Sequence, residues 1–270
     1  MADNIRASTL PSYPDCPRRS AAKTHRRELE AAGYAFRDLP PSIGAAIGTA
    51  AHKVGEVVLR AKIETGELGD LGQGIDLAMA EFDTEIEAGA IWDDTTQNRN
   101  AAQIQIGNLA RAYFHGVAKR VEPLAVELYL EANTGGGVLL TGNIDLVTVS
   151  GSVRDTKTGA IDRDYYAQLG GYGLLCRSQQ EPYPVTGLGI DWLPRTAHTK
   201  PQKPLVQKEY PLAACQRLAL DVIGTIKRDL ADYRTTGNPA AFMCNTGSMM
   251  CSDKYCPAWG TDFCPITKRG

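Results

Sequence analysis

No apolar run in this chain approaches the roughly 18 residues needed to cross a membrane, so the sequence predicts a soluble, cytoplasmic protein with no membrane partner. Its beginning, Met1-Ala-Asp-Asn-Ile-Arg6, lacks the charged and apolar pattern of a secretory leader, and its seven cysteines are an odd number. Together these speak against a disulfide framework. No Gly-x-x-x-x-Gly-Lys-Ser/Thr motif occurs, so any helicase or ATP-driven motor working with this protein must be another chain. Internal repeats, low-complexity tracts and long linkers are also missing. A formal net charge of −2 supplies no global basic field, yet it leaves room for a local basic groove beside acidic residues.

With 270 residues and 43% hydrophobic content, the chain can bury a sizeable core and reads as a single domain over residues 1–270. Hydrophobic spacing predicts helices near residues 18–32, 43–66, 73–89 and 95–120, then strands at 123–133, 138–149 and 152–158. A helix over 164–176, strands near 185–194 and 204–210, and a long helix over 212–235 complete the pattern. The expected fold class is α/β: a mixed central sheet flanked by helices, with a helical part at about 18–120, a core at about 123–210 and a C-terminal helix and cysteine-rich segment at about 212–270.

The chemistry concentrates in Leu140-Thr-Gly-Asn-Ile-Asp145 and Arg154-Asp-Thr-Lys157, separated by the turn residue Gly151. These segments place Asp145, Asp155 and Lys157 on two adjacent strands. Residues two apart in a strand share a face, so Asp155 and Lys157 point together and Thr156 points to the opposite layer. Two carboxylates suit a hard divalent cation, which neutralises a phosphate and lowers the pKa of a bound water; a nearby lysine then orients or deprotonates that water. Upstream, His52 and Glu56 lie four apart on one helix face, as do Gln168 and Tyr172 downstream. Glu127 alternates with apolar neighbours and is a supporting candidate with Glu56. Basic clusters at Arg18, Arg19, Lys23, Arg26 and Arg27, and at Arg195, His198, Lys200 and Lys203, are candidate nucleic-acid contacts or solvated faces.

In order and spacing, Gly48 with His52, Gly142 with Asp145, Asp155 with Lys157, and Gln168 with Tyr172 resemble the motifs of the PD-(D/E)XK nuclease superfamily, in its RecB-like branch. That branch includes CRISPR-associated adaptation nucleases and phage recombination exonucleases. The resemblance implies a restriction-endonuclease-like fold in which His52, Asp145, Asp155 and the backbone carbonyl of Thr156 hold magnesium or manganese. It also implies that Lys157 handles the attacking water, while Gln168 and Tyr172 brace the site and touch the DNA backbone. The implied function is a metal-dependent DNA exonuclease of phage type, acting on ends or single strands in recombination or repair, within a bacterial or phage-infected cell. Alternatives are a non-catalytic DNA-binding recombination accessory and a CRISPR adaptation subunit trimming DNA for an integrase. A separate helicase or annealing protein is a further partner the resemblance suggests.

Three cysteines crowd the carboxyl end at Cys251, Cys256 and Cys264, with Cys244 just before them and Cys16 far upstream in Cys-Pro-Arg-Arg. Four thiolates suit zinc or an iron-sulfur cluster. The resemblance implies a 4Fe-4S cluster on Cys16, Cys251, Cys256 and Cys264, with zinc as the alternative and Cys244 able to replace a ligand. The family triplet is tighter than the present one, which leaves four and then seven residues between cysteines. Such a clasp would join the two ends of the chain and restrict its unfolded state. Cys176 and Cys215 fall on apolar helix faces and read as buried small hydrophobes.

Overall fold

The computed structural model describes residues 3–135 and 137–266. Helices α1 (Pro17–Thr24), α2 (Arg26–Ala31), α3 (Ile43–Thr65), α4 (Leu71–Glu85) and α5 (Arg99–Tyr113) precede most of the sheet, and α5 runs into a π-helical turn over Phe114–Ala118. A short strand, β1 (Asp3–Arg6), comes before them; β2 (Pro123–Asn133), β3 (Val138–Thr148), β4 (Ser152–Lys157), β5 (Gly187–Trp192) and β6 (Val206–Tyr210) follow. Helix α6 (Tyr166–Arg177) lies between β4 and β5, and α7 (Leu212–Thr236) follows β6. Helices α3, α4 and α5 start at side-chain caps: Ser42, Asp70 and Asn98 each accept from an amide three residues on, satisfying an otherwise unpaired donor. Helix α3 stops at Gly66 and α7 at Gly237, both left-handed.

The expected helix over 18–32 is divided at His25 into α1 and α2, and the expected helix over 95–120 begins only after the Asn98 cap. Strand β1 has no counterpart in the sequence pattern, because its four residues are too few to show periodicity.

Strand β3 organises the sheet. One edge pairs antiparallel with β2 from Pro123↔Thr148 to Asn133↔Leu139. The other edge is divided: β1 pairs parallel with residues 138–141, and β4 pairs antiparallel only at Leu146↔Arg154 and Val147↔Val153. Beyond β4, β5 is parallel and β6 antiparallel, giving a mixed six-stranded sheet. Helices cover both faces. One buried cluster joins Ile144, Val147, Val153 and Ile190 to α6 and α7; the other joins Val126, Leu146 and Leu193 to α3, α4 and α5. Cys176 and Cys215 are fully buried in the first. Among the described residues, no helix is long and apolar enough to cross a membrane.

The packing of α6 on α7 depends on an absent side chain. A Cβ at Gly170 would lie 1.9 Å from the Cys215 carbonyl oxygen, a backbone atom that cannot rotate away. Gly170→Ala is expected to destabilise the protein by about 3 kcal/mol or more through overpacking, measured as a lower midpoint in denaturant.

Candidate active site

The site forms where the pairing of β3 with β4 ends. Residues 142–145 have no backbone partner on that edge of β3, since β1 stops at Thr141 and β4 begins its pairing at Leu146. A side chain takes over from the ladder: the Thr156 amide donates to Asp145 Oδ2 at 2.7 Å. The N–H and C=O of one strand residue leave on the same edge, so the Thr156 carbonyl faces the same gap.

The sheet also changes phase here. Leu128 and Ile144 pack toward α6, whereas Val126 and Leu146 pack toward α3–α5, so the alternation slips at the intervening pair, Glu127 and Asp145. Glu127 has a φ of 48°, the only positive value at a non-glycine residue among those described. A left-handed backbone at such a residue costs on the order of 1 kcal/mol, and strain of this kind collects at functional sites. The slip presents Glu127 and Asp145 to α3, where His52 Nδ1 lies 3.1 Å from Asp145 Oδ2 and 3.9 Å from Glu127 Oε1. His52, Glu127 and Asp145 are the group among the described residues whose ligand atoms all fall within 4.8 Å of one another, as a metal site requires. Asn143 donates to the other Glu127 oxygen and orients the carboxylate.

Asp155 and Lys157 do share a face, with Lys157 Nζ 2.7 Å from Asp155 Oδ2. Thr156 points to the opposite layer, toward the buried Tyr113 of α5. Gln168 Nε2 donates to Asp155 Oδ1 at 2.9 Å and to the Tyr172 hydroxyl at 2.8 Å. Both α6 residues are only 3% exposed. Their geometry fits bracing and offers DNA no surface, contrary to the expectation of a backbone contact. His52, Glu127 and Asp145 thus have ligand atoms close enough for a single ion, and Asp155 lies alongside with its oxygens engaged by Lys157 and Gln168.

The charges are strongly coupled. Burial works against the His52 cation, but the Asp145 carboxylate outweighs it and raises the His52 pKa well above the usual range. Asp145 is held down by the same contact despite its own burial. Burial pushes Asp155 up to about 6, and the neighbouring Lys157 only partly opposes this. Burial also opposes the Lys157 ammonium, yet Asp155 and Asp145 raise its pKa, so it stays charged.

An open cleft of about 330 Å³ leads to this cluster between Thr49, His52, Lys53, Glu56, Glu81 and Glu127. Glu56 lines it, paired with Lys53 at 2.9 Å and Arg60 at 3.0 Å. Sequence reasoning missed Glu81, Tyr113 and Tyr165, whose ring centre lies 5.2 Å from Lys157 Nζ. Glu81 and Tyr113 come from the helical part and follow no motif. Tyr165 sits at the start of α6, and its place two residues before Ala167 and three before Gln168 was the available signal.

Two expected DNA contacts have other uses. Arg18 donates to the Phe242 and Pro239 carbonyls, and Arg19 is 7% exposed and faces Asp15, so neither offers a free cation to a phosphate. Arg195 is likewise buried, in an ion pair with Asp93 at 2.6 Å that ties its loop to the segment before α5. Cys16, Cys244, Cys251, Cys256 and Cys264 line one small cavity, so the chain ends do meet there. The Cys244 and Cys264 sulfurs are 3.8 Å apart, but among the described residues no three sulfurs lie within 4.8 Å of one another.

A mixed sheet covered by helices on both faces, with a histidine, carboxylates and a lysine gathered where two central strands part, is consistent with a restriction-endonuclease-like fold. The chain belongs to the PD-(D/E)XK nuclease superfamily, whose family model matches residues 5–261. A structure described as a candidate exonuclease from Eubacterium rectale is similar in fold, with a TM-score of 0.53, 11% identity, and coverage of 84% of this chain and 80% of that one. An alkaline exonuclease from Laribacter hongkongensis aligns more loosely, with a TM-score of 0.31, 12% identity, and coverage of 72% and 97%. Comparison with curated proteins gave no match.

The raised Asp155 pKa has a consequence for stability. Its value of about 6 in the folded state lies above the ordinary 3.8, so the folded protein holds more protons across that window and loses stability as pH rises through it. In the presence of a chelator, Asp155→Asn should remove this dependence. Between about pH 4 and pH 6 the melting temperature of the wild type should fall relative to that of the variant.

Proposed function

We propose that this protein is a metal-dependent deoxyribonuclease that hydrolyses phosphodiester bonds, acting on DNA ends in recombination or repair. The observation that carries the reading is the convergence of His52, Glu127 and Asp145 beside the Asp155–Lys157 pair. A nitrogen and carboxylate oxygens are suitable donors for magnesium or manganese, and the Thr156 carbonyl adds another. A bound divalent ion supplies charge neutralisation at the scissile phosphate and a more acidic water. Asp145 is positioned for this by the Thr156 amide, and Asp155 is held ready at its side by Gln168. Lys157, fixed by Asp155 and the Tyr165 ring, orients the attacking water and stabilises negative charge as it develops on the phosphate.

Within the superfamily, we place the chain in the RecB-like branch with a cysteine-held metal. The five-thiol cavity supports this, with an iron-sulfur cluster or zinc as its occupant. The cavity joins residue 16 to residues beyond 240, so its metal would act on stability.

The deciding experiment is cleavage of end-labelled linear and circular DNA, single- and double-stranded, with magnesium or manganese. The wild type should degrade linear DNA and spare circles, while Asp145→Asn and Lys157→Ala lose at least about 100-fold in rate with the native fold retained by circular dichroism. Full activity in both variants would refute the assignment. Manganese affinity, measured by calorimetry, should fall roughly tenfold or more in Glu127→Gln. It should also rise with pH through the elevated His52 pKa, because a bound metal must displace that proton.

A further inference from the structure

Four buried side-chain polar atoms among the described residues have no hydrogen-bond partner: Arg19 Nε, Asp83 Oδ1, Asp155 Oδ2 and Arg195 Nε. Asp155 Oδ2 faces Lys157 at the active site, and Arg195 is ion-paired through its other nitrogens. Arg19 is different. It is 7% exposed and lines the cavity formed by Cys16, Cys244, Cys251, Cys256 and Cys264. A charged donor is costly to bury without an acceptor, and a donor bordering five thiols has sulfur as its natural partner.

The side chain is held there from behind. Arg19 Nη2 lies 3.3 Å from Asp15 Oδ2, which also accepts from the Ser248 hydroxyl at 2.7 Å, while Asn245 Nδ2 donates to the Asp15 carbonyl at 2.8 Å. Arg18, one residue earlier, fastens the same helix to the Phe242 and Pro239 carbonyls. Asp15 thus engages Nη2, while Nε stays buried without a partner in a side chain that lines the thiol cavity.

We propose that Arg19 donates its Nε–H to the sulfur shell of an anionic, thiolate-held metal centre in this cavity and stabilises that centre against metal loss. This rests on the metal reading of the cysteines given above, and it replaces DNA contact as the role of Arg19. A set of thiolates around zinc or an iron-sulfur core carries net negative charge; a buried guanidinium offsets it, and a hydrogen bond to sulfur raises the reduction potential of a cluster.

The full chain, purified without oxygen, is assayed for iron, acid-labile sulfide and zinc, then for the rate of metal release to a chelator and, with iron, for reduction potential. Arg19→Gln should release metal several-fold faster than the wild type and lower the potential of a cluster. Arg19→Lys keeps the charge without the Nε donor and should fall between them, which also guards against a folding defect in the glutamine variant. A metal-loaded wild type matched by both variants in release rate and potential would overturn the role of Arg19 alone. A wild type holding neither iron nor zinc would overturn the metal reading beneath it, whatever its nuclease activity.

Discussion

The hydrogen bond from the Thr156 amide to the Asp145 carboxylate is the contact on which the site depends. A sheet normally satisfies such an amide with a carbonyl of the next strand. Here β3 and β4 have parted, and a carboxylate does the same work. The exchange opens a gap between two central strands, fixes one anion in it and turns the Thr156 carbonyl toward it. Neither strand could close the gap by continuing its ladder without expelling the side chain that the gap exists to hold.

The cost of gathering these charges explains the surroundings. Asp155 is 1% exposed, and burial alone would neutralise it, so Lys157 and Gln168 each engage one of its oxygens. His52 and Asp145 stabilise one another's charges in the same way. The two helical layers divide the labour: α3 brings His52 from one face, and α6 brings Gln168 and Tyr172 from the other. The slip in alternation at Glu127 allows residues of one sheet to meet both layers.

The far end of the molecule follows a separate logic. Cys16 begins α1, the other four cysteines of the cavity lie beyond α7, and Arg18 binds the two regions together. Closing a loop of more than 200 residues restricts the unfolded chain, so a metal held there would act on stability. An arginine pair that looks like a phosphate-binding motif in the sequence is turned inward by this arrangement.

The sequence by itself determined most of the elements and the identity of the reactive side chains. Long amphipathic helices, β2 to β4, and the pairs Asp155 with Lys157 and Gln168 with Tyr172 were legible, because their periods of 3.6 and 2 are local properties of the backbone. Only the tertiary structure decided which of those side chains meet. Glu127 enters the group with His52 and Asp145 because β2 pairs with β3 in one register and takes a left-handed turn of the backbone there, which no local pattern encodes. Arg18 and Arg19 turn inward because residues more than 200 positions away supply their partners or surroundings. Spacing along the chain fixes the face a residue occupies; what that face touches depends on contacts between segments remote in sequence.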